Sequence, residues 1–402
     1  MLRLSILGAS GSIGRQALQV VDQLPTRIQV VAMTAGNDWR FLATAALRYR
    51  PLLVAVAEES CYVPLREALA GSGIAVAAGA EGLVAAATLA EADMVLAAIS
   101  GLAGLPPLLA AIAAEKAIAL ANKESLVAAG SLVMPQIRAR GLTLNPVDSE
   151  HAALWQCLRG ECRQEAARLI LTASGGAFRD KSAAELAQAT PEQALRHPNW
   201  RMGAKITIDC ATMVNKGLEV IEAHWLFDMP YAQIDVLVHP ESIVHSMVVF
   251  RDGSVKAQLG LPDMRLPIQY ALLGGERPAG GVAAPDLAAV GALHFRQPDD
   301  LRFPALHLFR RAGETGGDAP AYLNGANEVL VAAFLQEKIA FPVIAEALGE
   351  LSALHRAAPV VTAEDVFAAD AAGRQAAREF IGGKHFDCNR SDPGILSIDP
   401  EP

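Results

Sequence analysis

The sequence predicts an α/β protein, and three successive patterns along its 402 residues support this prediction. Up to about residue 147, short β-forming runs alternate with alanine-rich helical stretches, which is typical of a mostly parallel sheet covered by helices on both faces. A strand-and-loop pattern follows from Leu169 and indicates a smaller α+β unit. From about Pro320, helical stretches dominate and indicate a helical unit at the carboxyl end.

These patterns divide the chain into five expected parts. They are a first α/β domain over 1–147, an α+β domain over 148–276, a linker over 277–305, a helical domain over 306–383 and a flexible tail over 384–402. The linker is expected because its segment GGERPAGGVAAP is rich in glycine and proline.

The individual elements follow from the local patterns. The first domain has six predicted strands, at LRLSILG, IQVVAMTAG, LLVAVA, DMVLAAI, AIALAN and LTLNPV. The second has predicted strands at LILTAS, KITIDC, IDVLVHP and VVFRDGSVKAQLG, where Asp252-Gly253 predicts a hairpin turn. The third has predicted helices at AYLNGANEVLVAAFLQEKI, VIAEALGELSALHRA and AEDVFAADAAGRQAAREFI.

Composition and charge exclude several classes of protein. Hydrophobic residues make up 52% of the chain, which indicates a soluble protein with a large core. The net charge of -9 argues against nucleic acid as a partner, because binding to a phosphate backbone needs a basic surface. Five scattered cysteines without CxxC spacing indicate neither a disulfide framework nor a zinc site, and fit a cytoplasmic location. We expect no export signal and no membrane span, because glycines and prolines break the uncharged run Met94–Ala114.

A glycine-rich turn directly follows the first predicted strand and opens a helix. Its spacing is G-x-x-G-x-x-G, and it comprises Gly8, Ser10, Gly11, Ser12, Ile13 and Gly14. Glycines allow close backbone approach, and the helix N-terminus offers N–H groups to a pyrophosphate. The alternative is a strand–helix turn that binds nothing. The place of the turn in the α/β pattern favours a nicotinamide dinucleotide and a Rossmann-like first domain.

The choice between NAD and NADP depends on the end of the second strand. NAD sites usually place a carboxylate there, but this strand ends at Thr34-Ala35-Gly36, which favours NADP. Asn37-Asp38 follow, and the nearest base is Arg40, so no positive partner for a 2′-phosphate is evident.

Two carboxylates, Asp148 and Glu150, leave the carboxyl end of the sixth predicted strand, the edge of a parallel sheet where ligands bind. They allow three interpretations: ligands of a hard divalent cation, an acid/base pair that shares a proton, or a cap on the helix that begins near His151. A predicted helix further on carries Glu219 and Glu222, and either could supply a third oxygen ligand. Three carboxylates without a thiolate suit Mg²⁺ or Mn²⁺.

Two further stretches indicate a phosphorylated ligand. Ser174, Gly175 and Gly176 follow a strand and offer a hydroxyl and backbone N–H groups to an anion. RHPNWRMGAK, residues 196–205, gathers basic and aromatic residues that could close over an anion, although it could also be an ordinary surface loop.

Eight ordered segments are similar to those of one enzyme family. ILGASGSIG, ALANKESLV, PVDSEH, LTASGGAF, RHPNWRMG, ATMVNKGLE, HPESIVHSM and LNGANE resemble the 1-deoxy-D-xylulose 5-phosphate reductoisomerase family over most of the chain. The resemblance implies a cofactor domain, a catalytic domain and a C-terminal helical domain, usually in a homodimer. It also implies rearrangement and NADPH-dependent reduction of a sugar phosphate, with a divalent metal, in non-mevalonate isoprenoid biosynthesis.

The resemblance also implies residue roles. The metal ligands would be Asp148, Glu150 and Glu219, and the catalytic residues Glu150, Lys123 and His245. Substrate contacts would come from Ser149, Ser174, His197, Trp200, Met202, Cys210, Asn215 and Lys216. Cofactor contacts beyond the glycine-rich turn would come from Gly36, Asn37, Asp38, Asn122, Lys123, Glu124 and Gly203.

The sequence departs from the family in two places. Cys210 replaces a serine, and a thiol is a much weaker hydrogen-bond donor than a hydroxyl. Asn37-Asp38 replace a commonly basic residue. Two alternative functions remain open: a semialdehyde dehydrogenase with Cys157 or Cys210 as the nucleophile, and a regulator that binds nucleotide or sugar phosphate without turnover.

Overall fold

The structure is a computed structural model that describes residues 1–200 and 202–383. The predicted tail over 384–402 lies outside these residues. The α/β fold class is confirmed: a seven-stranded parallel sheet, a four-stranded sheet and a group of C-terminal helices follow one another along the chain.

The first sheet is parallel throughout. Its strands are β1 (Leu2–Leu7), β2 (Ile28–Ala35), β3 (Leu53–Val56), β4 (Ala75–Ala78), β5 (Met94–Ala97), β6 (Ala117–Leu120) and β7 (Leu144–Pro146). Their order in the sheet is β4-β3-β2-β1-β5-β6-β7. The chain reverses its direction of winding at β1, so the carboxyl ends of β1 and β5 border a crevice of the kind in which dinucleotides bind.

Helices connect these strands. They are α1 (Ser12–Gln23), α2 (Trp39–Tyr49), α3 (Tyr62–Ala68), α4 (Gly79–Thr88), α5 (Leu105–Ala113) and α6 (Lys123–Arg140), with short 3₁₀ turns at Glu59–Cys61 and Leu102–Gly104. The sequence predicted six of the seven strands. It missed β4, because an alanine-rich run has low intrinsic strand propensity and is held here by pairing with β3.

The second sheet has the strand order β11-β10-β8-β9. Its strands are β8 (Ala166–Ala173), β9 (Ile234–Val238), β10 (Val244–Phe250) and β11 (Val255–Leu259). The predicted hairpin turn at Asp252-Gly253 joins β10 to β11, and Gly253 adopts a φ of 87° there. Nearby helices are α7 (Ser149–Leu158), α8 (Ala183–Ala187), α9 (Pro191–Ala194), α10 (Ala204–Thr212), α11 (Val214–Phe227) and α12 (Arg265–Leu272), with 3₁₀ turns at Arg163–Glu165 and Tyr231–Gln233.

The prediction of a strand at KITIDC was wrong, because these residues lie in α10. Their β-branched residues favour a strand locally. In the structure, Thr207, Ile208 and Ala211 are buried on one helical face, so tertiary packing outweighs local preference. Met213, in the left-handed region with a φ of 65°, separates α10 from α11.

The C-terminal helices pack on one another and on the preceding part of the chain. They are α14 (Ala305–Thr315), α15 (Ala319–Leu335), α16 (Phe341–Leu354) and α17 (Ala363–Gly383). Between α12 and α14, residues 277–304 carry only the short helix α13 (Leu287–Val290) and one β-bridge, between Val238 and Arg296. The division into domains stays a prediction. Among the described helices, none is both long and apolar enough to cross a membrane.

Candidate active site

A cavity of about 1250 Å³ lies where the first sheet, the second sheet and α15 meet. Its wall includes the N-terminus of α1, the end of β7 and the start of α7, the turn after β8, the segment before α10 and the first turns of α11. Most of the residues expected at a site are therefore brought to one place.

Three carboxylates form the base of this cavity. Asp148 and Glu150 lie at the start of α7, and Glu219 lies one turn into α11 and is 1% exposed. One oxygen of each lies within 4.8 Å of the others. We call these three residues the carboxylate cluster. Asp148 stands before the first residue of α7, but its side chain makes no capping hydrogen bond, so the capping interpretation is wrong for this residue.

Two buried lysines hold the carboxylate cluster together. Nζ of Lys123 lies 2.6 Å from Oδ2 of Asp148 and 3.2 Å from Oε1 of Glu219, and donates to Oδ1 of Asn215 at 2.8 Å. Nζ of Lys216 lies 2.8 Å from Oε1 of Glu150 and also contacts Oε2 of Glu219. Lys123 begins α6, and Lys216 lies in the first turn of α11. Three elements distant in sequence thus supply one charged centre.

Burial and neighbouring charges shift these groups in different directions. Burial disfavours the ionised form of Asp148, but the Lys123 ammonium and the other positive groups around it, Lys216 among them, together hold the pKa of Asp148 below its usual range. Burial, together with the negative charge of Glu150, raises the pKa of Glu219 to about 7. With all three carboxylates ionised and both lysines protonated, the centre keeps one negative charge, which a cation would neutralise.

Glu222, the other carboxylate left open by spacing, belongs to a second group with Asp148 and His151, whose side-chain ligand atoms also lie within 4.8 Å of one another. Nε2 of His151 lies 2.9 Å from the backbone oxygen of Glu219, so Nε2 must carry the proton and donate it. In a neutral ring, Nδ1 is then an acceptor, and it faces Oε2 of Glu222 at 3.3 Å. Burial raises the pKa of Glu222 well above its ordinary value, and neither of its carboxyl oxygens has a hydrogen-bond partner among the described residues. Glu222 does not line the cavity, which favours Glu219 as the third ligand.

The turn after β8 presents a hydroxyl to the cavity. Oγ of Ser174 accepts a hydrogen bond from the backbone N–H of Gly176 and lies 2.9 Å from Nε2 of His197. Nδ1 of His197 accepts from the backbone N–H groups of Asn199 and Trp200, so Nε2 carries the proton and donates it to Ser174. The Ser174 hydroxyl therefore keeps its own hydrogen for an anionic ligand.

This arrangement predicts a specific pH dependence of stability. Burial and the nearby Arg179 lower the pKa of His197 to about 4, against about 6.5 in an unfolded chain. As pH falls from 6.5 towards 4, the unfolded state takes up this proton first, so the free energy of unfolding falls. We expect the loss of stability between pH 7 and pH 5, measured by urea unfolding, to be smaller in His197→Gln. An equal loss in both proteins would contradict the assignment.

Residues 196–200 and 202–205, which we call the lid segment, contact the loop between β9 and β10. Nδ2 of Asn199 donates to the backbone oxygen of Pro240 and to Oγ of Ser242, both at 2.7 Å. The ring of Trp200 lies 6.1 Å from that of His245, whose pKa is lowered by burial. Met202 lines the same part of the cavity.

The glycine-rich turn forms the other end of the cavity. Gly8 has a φ of 89°, and an added Cβ there would lie 2.6 Å from the backbone oxygen of Ala98. A Cβ on Gly14 would lie 2.4 Å from the backbone oxygen of Gly8. These two glycines are required for close packing, whereas Gly11 is exposed before α1 and leaves the N-terminus of the helix accessible. The turn therefore offers the cradle that a pyrophosphate needs.

The predicted cofactor residues divide into two groups according to whether they line the cavity. Those that line the cavity are Gly11, Ser12, Ile13, Asn122, Lys123, Glu124 and Gly203. Those outside its lining are Gly8, Ser10, Gly14, Gly36, Asn37 and Asp38. The second group surrounds the carboxyl ends of β1 and β2, beside the cavity. Asn122 uses its side chain within the protein, since it caps α6 and donates to the backbone of Ile99 and Gly101.

Neither cysteine proposed as a nucleophile is suited to that role. Burial raises the pKa of the Cys157 thiol to about 11, and Cys157 does not line the cavity. Cys210 does line it, but burial raises the pKa of its thiol still further. A nucleophilic cysteine needs a lowered pKa, so both findings argue against a semialdehyde dehydrogenase.

Several cavity residues were not singled out from the sequence. They include Asn199, Ser242 and Glu328. Asn199, Ser242 and Glu328 lie inside the quoted segments RHPNWRMG, HPESIVHSM and LNGANE, which were the available signal. Lys205 pairs with Asp209 at 2.6 Å.

The cavity thus receives a residue from the C-terminal helices. Glu328 lies in α15, and the side chain of Arg374 in α17 holds its carboxylate. The neighbouring Asn327 donates to Oδ1 of Asp209 in α10 at 2.9 Å. The C-terminal helices therefore support both the wall of the cavity and the helix that carries Cys210.

Comparison with protein families gives three matches. A model described as 1-deoxy-D-xylulose 5-phosphate reductoisomerase matches residues 4–130. A model of the C-terminal domain of the same enzyme matches residues 144–227, and a further DXP reductoisomerase C-terminal domain model matches residues 259–376.

Relatives are similar over nearly the whole chain. The 1-deoxy-D-xylulose 5-phosphate reductoisomerase of Heliobacterium modesticaldum is 54% identical over 382 residues, which cover 94% of this chain and 97% of the relative. The enzyme of the same name from Geotalea uraniireducens is 51% identical over 382 residues, covering 95% of this chain and 99% of the relative.

Solved structures have the same fold. The reductoisomerase from Zymomonas mobilis in complex with NADPH is 46% identical, with a TM-score of 0.89, covering 94% of this chain and 99% of that one. A DOX-P reductoisomerase in complex with NADPH, fosmidomycin and magnesium is 40% identical, with a TM-score of 0.89, covering 95% of this chain and 98% of that one. The chain described here, with its carboxylate cluster, its Ser174 turn and its glycine-rich turn around one cavity, belongs to the 1-deoxy-D-xylulose 5-phosphate reductoisomerase family.

Proposed function

We propose that this chain converts 1-deoxy-D-xylulose 5-phosphate into 2-C-methyl-D-erythritol 4-phosphate, using NADPH and Mg²⁺ or Mn²⁺, in the non-mevalonate route to isoprenoids. The observation that carries this proposal is the meeting of three carboxylates and two lysines in one cavity with the glycine-rich turn and the Ser174 turn. A regulator that only binds ligands would have no need of this charged centre.

The carboxylate cluster fits a divalent cation. Its donors are all oxygens, which Mg²⁺ and Mn²⁺ prefer. Oδ2 of Asp148 is buried and has no hydrogen bond of good geometry among the described residues, although the Lys123 ammonium lies beside it. We assign Asp148, Glu150 and Glu219 as the ligands. A cation held there supplies Lewis-acid polarisation of the substrate's ketone and hydroxyl oxygens.

The phosphate end of the substrate is assigned to groups on two elements. The Ser174 hydroxyl, the Asn215 amide and the Lys216 ammonium all line the cavity, and Lys216 carries the positive charge. The lid segment covers this end with His197, Trp200 and Met202, which would exclude water from the reacting carbons. Asn215 and Lys216 lie in the first turn of α11, where the helix dipole also favours an anion.

Proton movement is assigned to Glu150, with Ser149, Lys123 and His245 around the substrate. Oε1 of Glu150 accepts from Lys216, and Oε2 accepts from the Ser149 hydroxyl at 2.5 Å. Burial opposes ionisation of Glu150, but Lys216 lowers its pKa overall, so Glu150 is an ionised carboxylate at neutral pH, the form that can accept a proton from a substrate hydroxyl. His245 stays neutral at pH 7 because burial lowers its pKa, so it can orient the substrate through hydrogen bonds. NADPH supplies the hydride for the reduction.

The proposed function is tested by following NADPH absorbance with purified protein, 1-deoxy-D-xylulose 5-phosphate and Mg²⁺ or Mn²⁺. We expect oxidation of NADPH that a chelator abolishes, and that excess metal restores. Omitting the sugar phosphate is the control for unrelated oxidation. No oxidation with either metal and either NADPH or NADH would reject the proposal.

Replacing Cys210 by serine is expected to strengthen substrate binding. Cys210 lines the cavity, and a hydroxyl donates a stronger hydrogen bond to a phosphate than a thiol does. A hydrogen bond to a charged group contributes about 1.5–3 kcal/mol, so we expect KM for the sugar phosphate to fall about tenfold. Steady-state kinetics of Cys210→Ser measures this, and an unchanged or higher KM would contradict it.

We also propose that the enzyme is a cytoplasmic homodimer. The scattered cysteines support the location. The strand β11 lies at the edge of the second sheet, and its Val255 is 53% exposed, so this edge is available to another chain. Light scattering coupled to size-exclusion chromatography should give twice the chain mass of 42.3 kDa. A mass of one chain would reject the dimer.

A further inference from the structure

The segment after β2 determines how the adenosine end of a dinucleotide is recognised. In NAD sites a carboxylate there accepts hydrogen bonds from the ribose hydroxyls. Asp38 is the nearest carboxylate, but both of its oxygens already have partners. Oδ1 accepts from the backbone N–H of Phe41 and caps α2, and Oδ2 accepts from Arg15 at 3.1 Å. Asp38 is therefore already engaged in a helix cap and an ion pair, and the Arg15 guanidinium offsets its negative charge.

Arg15 is held firmly in this place, although it comes from a different element. It lies in the first turns of α1, directly after the glycine-rich turn. Its Nε donates to the backbone oxygen of Ser10 at 2.8 Å, and its guanidinium lies 3.8 Å from the centre of the Phe41 ring. Three contacts, with Ser10, Asp38 and Phe41, thus fix the direction of a side chain that is 48% exposed. A guanidinium fixed in this way binds an anion without a large loss of side-chain entropy.

The position of Arg15 matches that of the second ribose. The guanidinium bridges the glycine-rich turn, where the pyrophosphate would lie, and the segment after β2, where the adenosine ribose would lie. A Cβ added to Gly36, at the end of β2, would meet nothing within 4 Å, so there is open space beside it. Nε and one N–H of Nη2 are used, and within residues 1–200 and 202–383 the other three N–H groups of Arg15 have no hydrogen-bond partner.

We infer that Arg15 recognises the 2′-phosphate of NADPH and takes the place of the basic residue that Asn37-Asp38 lack. This inference rests on the proposed function, and extends it by naming the residue that selects the cofactor. Asp38 acts as a positioning residue, because it orients Arg15 while capping α2. An arginine near the ribose is a known means of accommodating a 2′-phosphate.

The test is calorimetric binding of NADPH, NADH, 2′,5′-ADP and 5′-AMP to the full-length protein without substrate. In Arg15→Ala we expect the Kd for NADPH and for 2′,5′-ADP to rise about 10- to 100-fold, since charge-assisted hydrogen bonds are lost. The Kd for NADH and 5′-AMP should change less than about threefold, since these ligands lack the phosphate. Equal weakening of all four ligands, or of none, would overturn the inference.

Arg48→Ala is the matched control. Arg48 also pairs with an aspartate, Asp22, at 2.8 Å and lies over an aromatic ring, that of Tyr49. It sits at the far end of α2 and should leave all four Kd values unchanged. Asp38→Asn tests whether Asp38 binds the ribose directly or only positions Arg15. Weaker binding of NADH by this variant would support a ribose-binding carboxylate and overturn the inference. Unchanged binding of NADH supports the inference.

The outcome for Arg15 is separable from the outcome for the proposed function. Protein that binds 2′,5′-ADP through Arg15 but does not oxidise NADPH would refute the proposed function alone. Protein that oxidises NADPH with the sugar phosphate but binds 2′,5′-ADP no more tightly than 5′-AMP would refute the role of Arg15 alone.

Discussion

Replacing Glu219 by glutamine is expected to lower kcat/KM by about 100- to 1,000-fold, the range found when one preorganised electrostatic group of an active site is removed. Glu219 supplies an anionic oxygen at the base of the cavity and contacts both Lys123 and Lys216. Glutamine keeps the size of the side chain but provides no charge for a cation. Titration with Mn²⁺, followed by electron paramagnetic resonance, should show weaker metal binding in the variant.

Glu222→Gln is the control for Glu219→Gln. It makes the same chemical change one turn along the same helix, at a carboxyl that is equally buried and lies outside the cavity lining. Because Glu222 lies outside the cavity lining, replacing it by a neutral amide should have little effect on Mn²⁺ affinity. If Glu222→Gln loses the metal and Glu219→Gln keeps it, the third ligand has been assigned to the wrong glutamate.

Replacing Lys216 by methionine is expected to weaken both substrate binding and the fold. The variant loses a cation that lines the cavity, so KM for the sugar phosphate should rise about 10- to 100-fold. It also leaves Glu150 and Glu219 without a partner that holds them together. Removing one member of a buried ion pair costs about 3–5 kcal/mol of stability.

Urea unfolding and steady-state kinetics measure the two effects of Lys216→Met separately. Lys256→Met is the control, since it removes an exposed ion pair with Glu161, which contributes at most about 1 kcal/mol. It should leave KM unchanged. A Lys216→Met enzyme with lowered stability but unchanged KM would show that Lys216 only supports the carboxylate cluster.

The parallel sheet could be predicted from the sequence, and most of the residues predicted for the site line the cavity. Hydrophobic residues that recur with the period of a strand or of a helix indicate which face of that element is buried. In parallel sheets, ligands bind at the carboxyl ends of the strands. Asp148 and Glu150 follow a strand directly, so local pattern alone placed them at the edge of the sheet where ligands bind. Ordered motifs then named the remaining residues by resemblance.

The sequence predictions were wrong or incomplete for features that depend on contacts between elements distant in the chain. KITIDC forms a helix because its buried face packs on other elements. Spacing could not choose between Glu219 and Glu222, which lie on the same helix and differ in whether they face the cavity. The sequence did not indicate a role for Arg15, because its contact with Asp38 joins two residues that lie 23 positions apart in the chain.

The contacts of α15 with the cavity and with α10 also set the order in which the enzyme can be completed during synthesis. The first sheet uses only the first 146 residues, and domains generally fold as units from the amino end while the chain is made. Asn327 and Glu328 emerge much later, yet the first holds Asp209 and the second forms part of the cavity wall. A nascent chain can therefore acquire its nucleotide cradle early, but the wall of its cavity is finished only after α15 has left the ribosome.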